Sequence, residues 1–128
     1  MSLTKSNIIT NNVTFINCTQ GVESNAVNVV MSNYSSNYDK FFDNGNNVMA
    51  INSQLSNVTV KNGYFKDNHK ISWGLIQGML SRIEVENTTF TNCTSNYATV
   101  INAMASSVTI KKSRFINLVA NVTSGALV

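Results

Sequence analysis

The chain has 128 residues, of which 43% are hydrophobic, so it is long enough for one domain and too apolar for a disordered segment. Nine Lys and Arg against six Asp and Glu leave a net charge of +3, and charged residues are only 12% of the total. The bases are scattered, with the largest group at Lys111, Lys112 and Arg114, so no basic stripe marks a nucleic-acid partner. No apolar run approaches the roughly 20 residues that span a bilayer, and "MSLTKSNIIT" at the start lacks the apolar stretch of a signal peptide. Polarity comes instead from 21 Asn and 27 Ser or Thr, with no Pro at all. That composition suits many short strands joined by turns that Asn tolerates.

Taken along the chain, the elements repeat. Ser6 opens a first unit, with Ile8 and Thr10 two and four residues on, then Phe15 and Asn17. Ser32 opens a second with Tyr34, Ser36, Phe41 and Asp43, and Ser56 a third with Val58, Val60, Phe65 and Asp67. Ser81 leads to Ile83, Val85, Phe90 and Asn92, and Ser106 to Val108, Ile110, Phe115 and Asn117. The five Phe residues are spaced 26, 24, 25 and 25 apart. Within each unit apolar and polar residues alternate, which is the period of a strand. A second apolar stretch follows each Phe: "NAVNVV", "VMAINS", "GLIQG", "ATVIN" and "GALV". Val30, Leu55, Leu80 and Ala105 make a further apolar column just before the next Ser.

Two or three strands per 25 residues, with no helix, predict a parallel β-helix: an all-β solenoid of about five coils. Equivalent residues then stack at the strand spacing of roughly 4.8 Å. The apolar columns, that of Phe among them, are expected to run up the interior, and Asn17, Asp43, Asp67, Asn92 and Asn117 to form a turn ladder whose amides bond along the axis. Coil two, with "YSSNYDKF", has few aliphatic residues and is expected to be the most distorted.

The pattern Ser-Asn-Val-Thr-Val at 56–60, Phe-x-x-Asn in "FFDN" (41–44) and "FKDN" (65–68), and Gly-Ala-Leu in "SGAL" (124–127) resembles right-handed β-helix proteins of the pectin-lyase-like superfamily. It is most similar to the Phe-x-x-Asn and Gly-Gly-Ala-Ile repeats of polymorphic outer-membrane proteins and similar large surface proteins. The resemblance covers residues 6–128, with "SNAV" (24–27) as a weaker echo. It implies a single-stranded, right-handed solenoid displayed at a cell surface or outside the cell. The sequence stops at the apolar "SGALV" with no polar cap, so a fragment of a longer solenoid, or end-on packing against another chain, is expected. Its partners would be other protein chains, end-on or along the flanks, and glycans.

Cys18 and Cys93 share a column three residues after a Phe, with Gly45 and Asn68 assigned to it in coils two and three. Three steps separate them by roughly 14 Å, whereas a disulfide needs Cα atoms within about 7 Å, so two free thiols are expected. The single His, His69, lies in another coil, which leaves no zinc ligand set. The acids are Glu23, Asp39, Asp43, Asp67, Glu84 and Glu86. Asp43 and Asp67 stack in adjacent coils, where a like-charged pair would raise one pKa. They stand where other coils carry Asn, however, so a turn role is expected and no catalytic residue, cofactor or metal is assigned. Lys61, Glu86 and Lys111 fall five after the Ser and are expected to stack as an exposed charge ladder. His69 and Trp73 share a loop with Lys70 and offer a place for a sugar ring. Sequons occur at Asn12, Asn17, Asn33, Asn57, Asn87, Asn92 and Asn121. Asn17 and Asn92 lie in the ladder column, where a glycan would disrupt stacking, which leaves the other five as glycosylation candidates.

Overall fold

The computed structural model describes residues 1–18, 25–44 and 48–122. Among them are fifteen strands and no helix, arranged as three five-stranded parallel sheets. Sheet one takes β1 (Ser2–Thr4), β4 (Asn25–Val30), β7 (Met49–Gln54), β10 (Ile76–Met79) and β13 (Ile101–Met104). Sheet two takes β2 (Asn7–Asn11), β5 (Asn33–Asn37), β8 (Asn57–Lys61), β11 (Arg82–Glu86) and β14 (Ser107–Lys111). Sheet three takes β3 (Thr14–Ile16), β6 (Lys40–Phe42), β9 (Tyr64–Lys66), β12 (Thr89–Ser95) and β15 (Arg114–Ala120). The chain visits the sheets in that order five times, so each pass is one coil of a parallel β-solenoid. Partners such as Leu3 and Val29, Val27 and Ile51, and Ile51 and Ile76 set steps of 26, 24 and 25 residues.

Each coil turns at three corners, each made by one residue in the left-handed region, with φ between 47° and 57°. Corner one, between sheets one and two, is Lys5, Met31, Leu55, Leu80 and Ala105. Corner two is Asn12, Tyr38, Asn62, Asn87 and Lys112, and corner three is Asn17, Asp43, Asp67, Asn92 and Asn117. Asn and Asp tolerate this conformation best among residues with side chains, which accounts for their use at corners two and three.

A left-handed residue swings the next N–H out of line with the strand ladder, and the equivalent side chain one coil on receives it. After corner one, Ser6, Ser32, Ser56 and Ser81 each donate their N–H to the Oγ of the Ser one coil on, at 3.0, 3.1, 3.2 and 2.9 Å. Each Oγ donates in turn to the carbonyl two residues before it, as Ser56 does to Gln54 at 2.6 Å. Corner two repeats the device: Val13 N–H donates to Asp39, Gly63 to Thr88 and Thr88 to Ser113. Corner three uses amides: Cys18 N–H donates to Asn44 Oδ1 at 2.9 Å and Asn44 N–H to Asn68 Oδ1 at 3.0 Å. The amides of Asn44 and Asn68 donate back to the carbonyls of Phe15 and Phe41. These asparagines are therefore the last residue of Phe-x-x-Asn. Asn44, rather than Gly45, holds the cysteine column in coil two, because the coil-two corner is Asp43; Gly45 lies outside the described residues.

The inward columns build the core. Phe41, Phe65 and Phe90 are fully buried, and successive rings from Phe15 to Phe115 stack with centroids 4.8, 4.5, 4.7 and 5.4 Å apart. Strand spacing and ring spacing coincide, so the sheet imposes the stack. Ile51, Ile76 and Ile101 form a second column. Gly78 lies in a column of small residues with Ser53 and Ala103, and a Cβ there would come within 2.5 Å of the Ile83 side chain.

Two expectations are corrected here. The column before the Ser contains Met31, since Val30 pairs with Gln54 on sheet one. It is not an interior stack: Met31, Leu55 and Leu80 are exposed, because a left-handed corner residue points its side chain outward. Among its described residues, coil two is not distorted either. β5 pairs residue for residue with β2 and β8, and a polar network replaces the missing aliphatic residues. The "SGAL" and "GALV" stretches lie wholly outside the described residues, as does Glu23.

Replacing Ser56 by Ala strips the acceptor from the buried Ser32 N–H, and stability should fall by about 1–3 kcal/mol. Phe65→Ala should cost about 3–5 kcal/mol through the cavity it opens. Urea unfolding measures both; an unchanged midpoint for Ser56→Ala would count against the corner ladder.

Candidate functional site

The chemistry-bearing side chains fall in three places. The first is corner two of coil two. Asp39 follows the left-handed Tyr38, is fully buried, and accepts the Val13 N–H at 2.8 Å through Oδ1. Its Oδ2 accepts hydrogen bonds from Ser36 at 2.8 Å and from Thr10, and lies 3.5 Å from the Tyr34 hydroxyl. Thr10 Oγ1 is also 2.9 Å from that hydroxyl. A carboxylate taken out of water needs such a donor set. Burial pushes the Tyr34 hydroxyl up to about 12. Sequence reasoning named Asp39 only as one of six acids. Its signal was present: Thr10 and Ser36 occupy an inward column that Val60 and Val85 fill elsewhere, and Asp39 sits one residue after a corner.

The second place is corner three. Asp43 and Asp67 share its column in adjacent coils. Asp67 Oδ1 accepts the Asn92 amide, and Oδ2 lies 3.5 Å from Lys66 Nζ. The Asn92 hydrogen bond, with the nearby Lys66 charge, holds the Asp67 carboxyl below its usual range. That shift is opposite to the one a proton-sharing dyad gives its acid partner. The Asn92–Asp67 link is the one side-chain rung of this column among the described residues. Fuller amide ladders run elsewhere: Asn57 to Asn33 to Asn7 at 2.8 and 2.7 Å, and Asn87 to Asn62 to Asn37 at 2.7 and 3.0 Å. Cys18 and Cys93 occupy the position of the inward Asn in this corner, and both are free. Cys93 is buried, its Sγ 3.2 Å from the Thr91 carbonyl, and burial raises its pKa. Among the described residues no three of His, Cys, Asp and Glu are grouped to hold a metal.

The third place is the loop after β9. His69 and Trp73 each meet a partner one coil on. His69 Nδ1 lies 3.4 Å from Thr94 Oγ1, while Trp73 stacks on Tyr97 one coil on, with centroids 4.6 Å apart and planes 12° from parallel. Both aromatic residues keep more than a third of their surface exposed. The expected charge ladder is present in register: Lys61, Glu86 and Lys111 are successive partners, and Lys61 Nζ lies 3.6 Å from Glu86 Oε2. The five sequon candidates Asn12, Asn33, Asn57, Asn87 and Asn121 are all exposed, and the amides of Asn33, Asn57 and Asn87 already donate along the axis. No described helix is long and apolar enough to cross a membrane.

Compared with protein-family models, with curated proteins and with solved structures, the chain matches none.

Tyr34 holds its proton more tightly folded than unfolded. Its contribution is therefore complete below the unfolded tyrosine value near 10 and is lost as pH rises toward about 12. Absorbance titration of the four tyrosines should show one ionising last, near pH 12, and Tyr34→Phe should remove that step. A thiol-specific chromogenic reagent should titrate two thiols, Cys18 quickly and Cys93 slowly until the chain unfolds. A titration giving no free thiol would contradict the register.

Proposed function

We propose that this chain is a non-enzymatic structural or adhesive solenoid segment of a large surface or filament-forming protein, with its lateral faces and open ends as contact surfaces. The observation that supports this is where the reactive side chains are spent. Asp39 caps one corner, Asp67 and Asn92 close another, and Cys93 fills the inward asparagine's position. Each has a structural duty in a repeating device, and none converges with another on an open cleft. Depressions among the described residues are shallow outer-surface ones, such as one of about 420 Å³ bounded by Asn7, Ile9, Asn33, Ser35, Asn57 and Thr59 on the outer face of sheet two. An extracellular or cell-surface setting is part of this proposal, supported by exposed sequons. Kinship with right-handed, pectin-lyase-like repeats is another part. It is supported by Asn44 and Asn68, the coil-locking residues of Phe-x-x-Asn, and by the right-handed crossover that parallel strands favour.

A second reading, glycan binding, is favoured by the exposed Trp73–Tyr97 stack, since flat aromatic surface suits a sugar ring. A carbohydrate-active protein with its acids elsewhere in a longer chain is a variant of it. A polysaccharide panel separates these readings, with reducing-end release as one readout and fluorescence of the single Trp as the other. The structural reading expects no cleavage and no saturable fluorescence change. Cleavage lost in Asp43→Asn or Asp67→Asn would overturn it, and binding lost in Trp73→Ala would establish the second reading.

A further inference from the structure

Corner one departs from the rule that the other two corners follow. At corners two and three, eight of the ten left-handed residues are Asn or Asp. At corner one none is: the residues are Lys5, Met31, Leu55, Leu80 and Ala105. Met31, Leu55 and Leu80 hold φ of 47°, 50° and 51° and are 46%, 58% and 57% exposed. Each is unfavourable twice, once as a bulky side chain in the left-handed region and once as apolar surface in water. Two costs repeated over successive coils, where Asn would remove both, mark a surface kept for contact.

The corner residues do not stand alone. Sheet one brings Met79 and Met104 alongside, 38% and 54% exposed, in the column of Val30 and Gln54. On the other side sheet two brings Asn33, Asn57, Arg82 and Ser107. The result is an apolar ridge along the axis through coils two to five, rimmed by polar residues. An apolar centre inside a polar rim is the anatomy of a protein interface.

We propose that this ridge binds the same ridge of a second copy of the chain, antiparallel, about a two-fold axis between coils three and four. This rests on the reading of the flanks as contact surfaces. The order of side chains selects the occupant. In the antiparallel register Leu55 meets Leu80 of the second copy, and Met31, the long residue at one end, meets Ala105, the short one at the other. Met104 likewise faces Val30, and Arg82 faces Asn57. A parallel two-fold would set Met31 on Met31 and the charged Arg82 against Met79. The rim has no acid at its first positions, and Arg82 is held by Glu84, so no cationic rim is left to draw the ridge to anionic lipid. The antiparallel pairing is isologous and closes as a dimer. Five large side chains are fewer than the roughly 20–30 residues a side of a standard interface, so association belongs in the micromolar range or weaker.

Sedimentation equilibrium from about 5 μM to about 500 μM, a span suited to so small an interface, reads the dimer. The wild type should shift from monomer to dimer. Leu55→Asn with Leu80→Asn should stay monomeric and melt no lower than wild type, because Asn adopts the same φ with less strain. Mixing Leu55→Cys and Leu80→Cys chains, each in a Cys18→Ser background, should give the mixed disulfide under mild oxidation. A wild type that stays monomeric throughout, a double variant that still dimerises, or disulfides only between like variants would each overturn the proposal. Wild type that stays monomeric but floats with phosphatidylcholine vesicles would overturn it in favour of a lipid partner. None of these outcomes depends on the polysaccharide panel, so the dimer and the structural reading fail separately.

Discussion

The fold depends on one local problem, solved three times per coil. A parallel solenoid must turn its chain between sheets without losing a backbone hydrogen bond to the interior. A single left-handed residue makes the turn, and the N–H of the residue after it is received by the equivalent side chain one coil on. Ser, Thr, Asp and Asn all fulfil that second role here, because each is short and carries an acceptor. Since each rung joins one coil to the next, the corner that bends the chain also binds the stack.

Regular stacking then governs the interior. Once every coil repeats at the strand spacing, like side chains must pack on like, and Phe satisfies this with offset parallel rings. The same constraint explains how coil two accommodates a polar interior. Tyr34, Ser36 and Asp39 face Thr10 across one coil step, so donors and acceptors meet at hydrogen-bond distance without disturbing the strands. Polar groups there are tolerated because they satisfy one another.

The candidate sites follow from the same geometry. Asp67 and Cys93 are drawn into corner three, and Asp39 into corner two, where neighbours hold them in structural duties. Not every side chain turned outward has such a duty. Trp73 with Tyr97, and the ridge of Met31, Leu55 and Leu80, remain as surface that the fold does not require.

The spacing of Phe, Ser and Asn or Asp determined the period, the absence of helix and the sheet register. Lys61, Glu86 and Lys111 met as their numbering requires. Those features were legible because a solenoid converts sequence distance directly into spatial distance. Sidedness was not legible. Leu55 and Leu80 resemble core residues in a string of letters, yet a left-handed corner turns them to solvent. Asp39 resembles any surface acid, yet a position one residue past a corner carries it inward. His69 and Trp73 are neighbours in sequence but find their partners one coil on, in Thr94 and Tyr97. Periodicity is carried by side-chain type along the chain, whereas inside and outside depend on backbone conformation at three corner residues, and only the tertiary structure decides that.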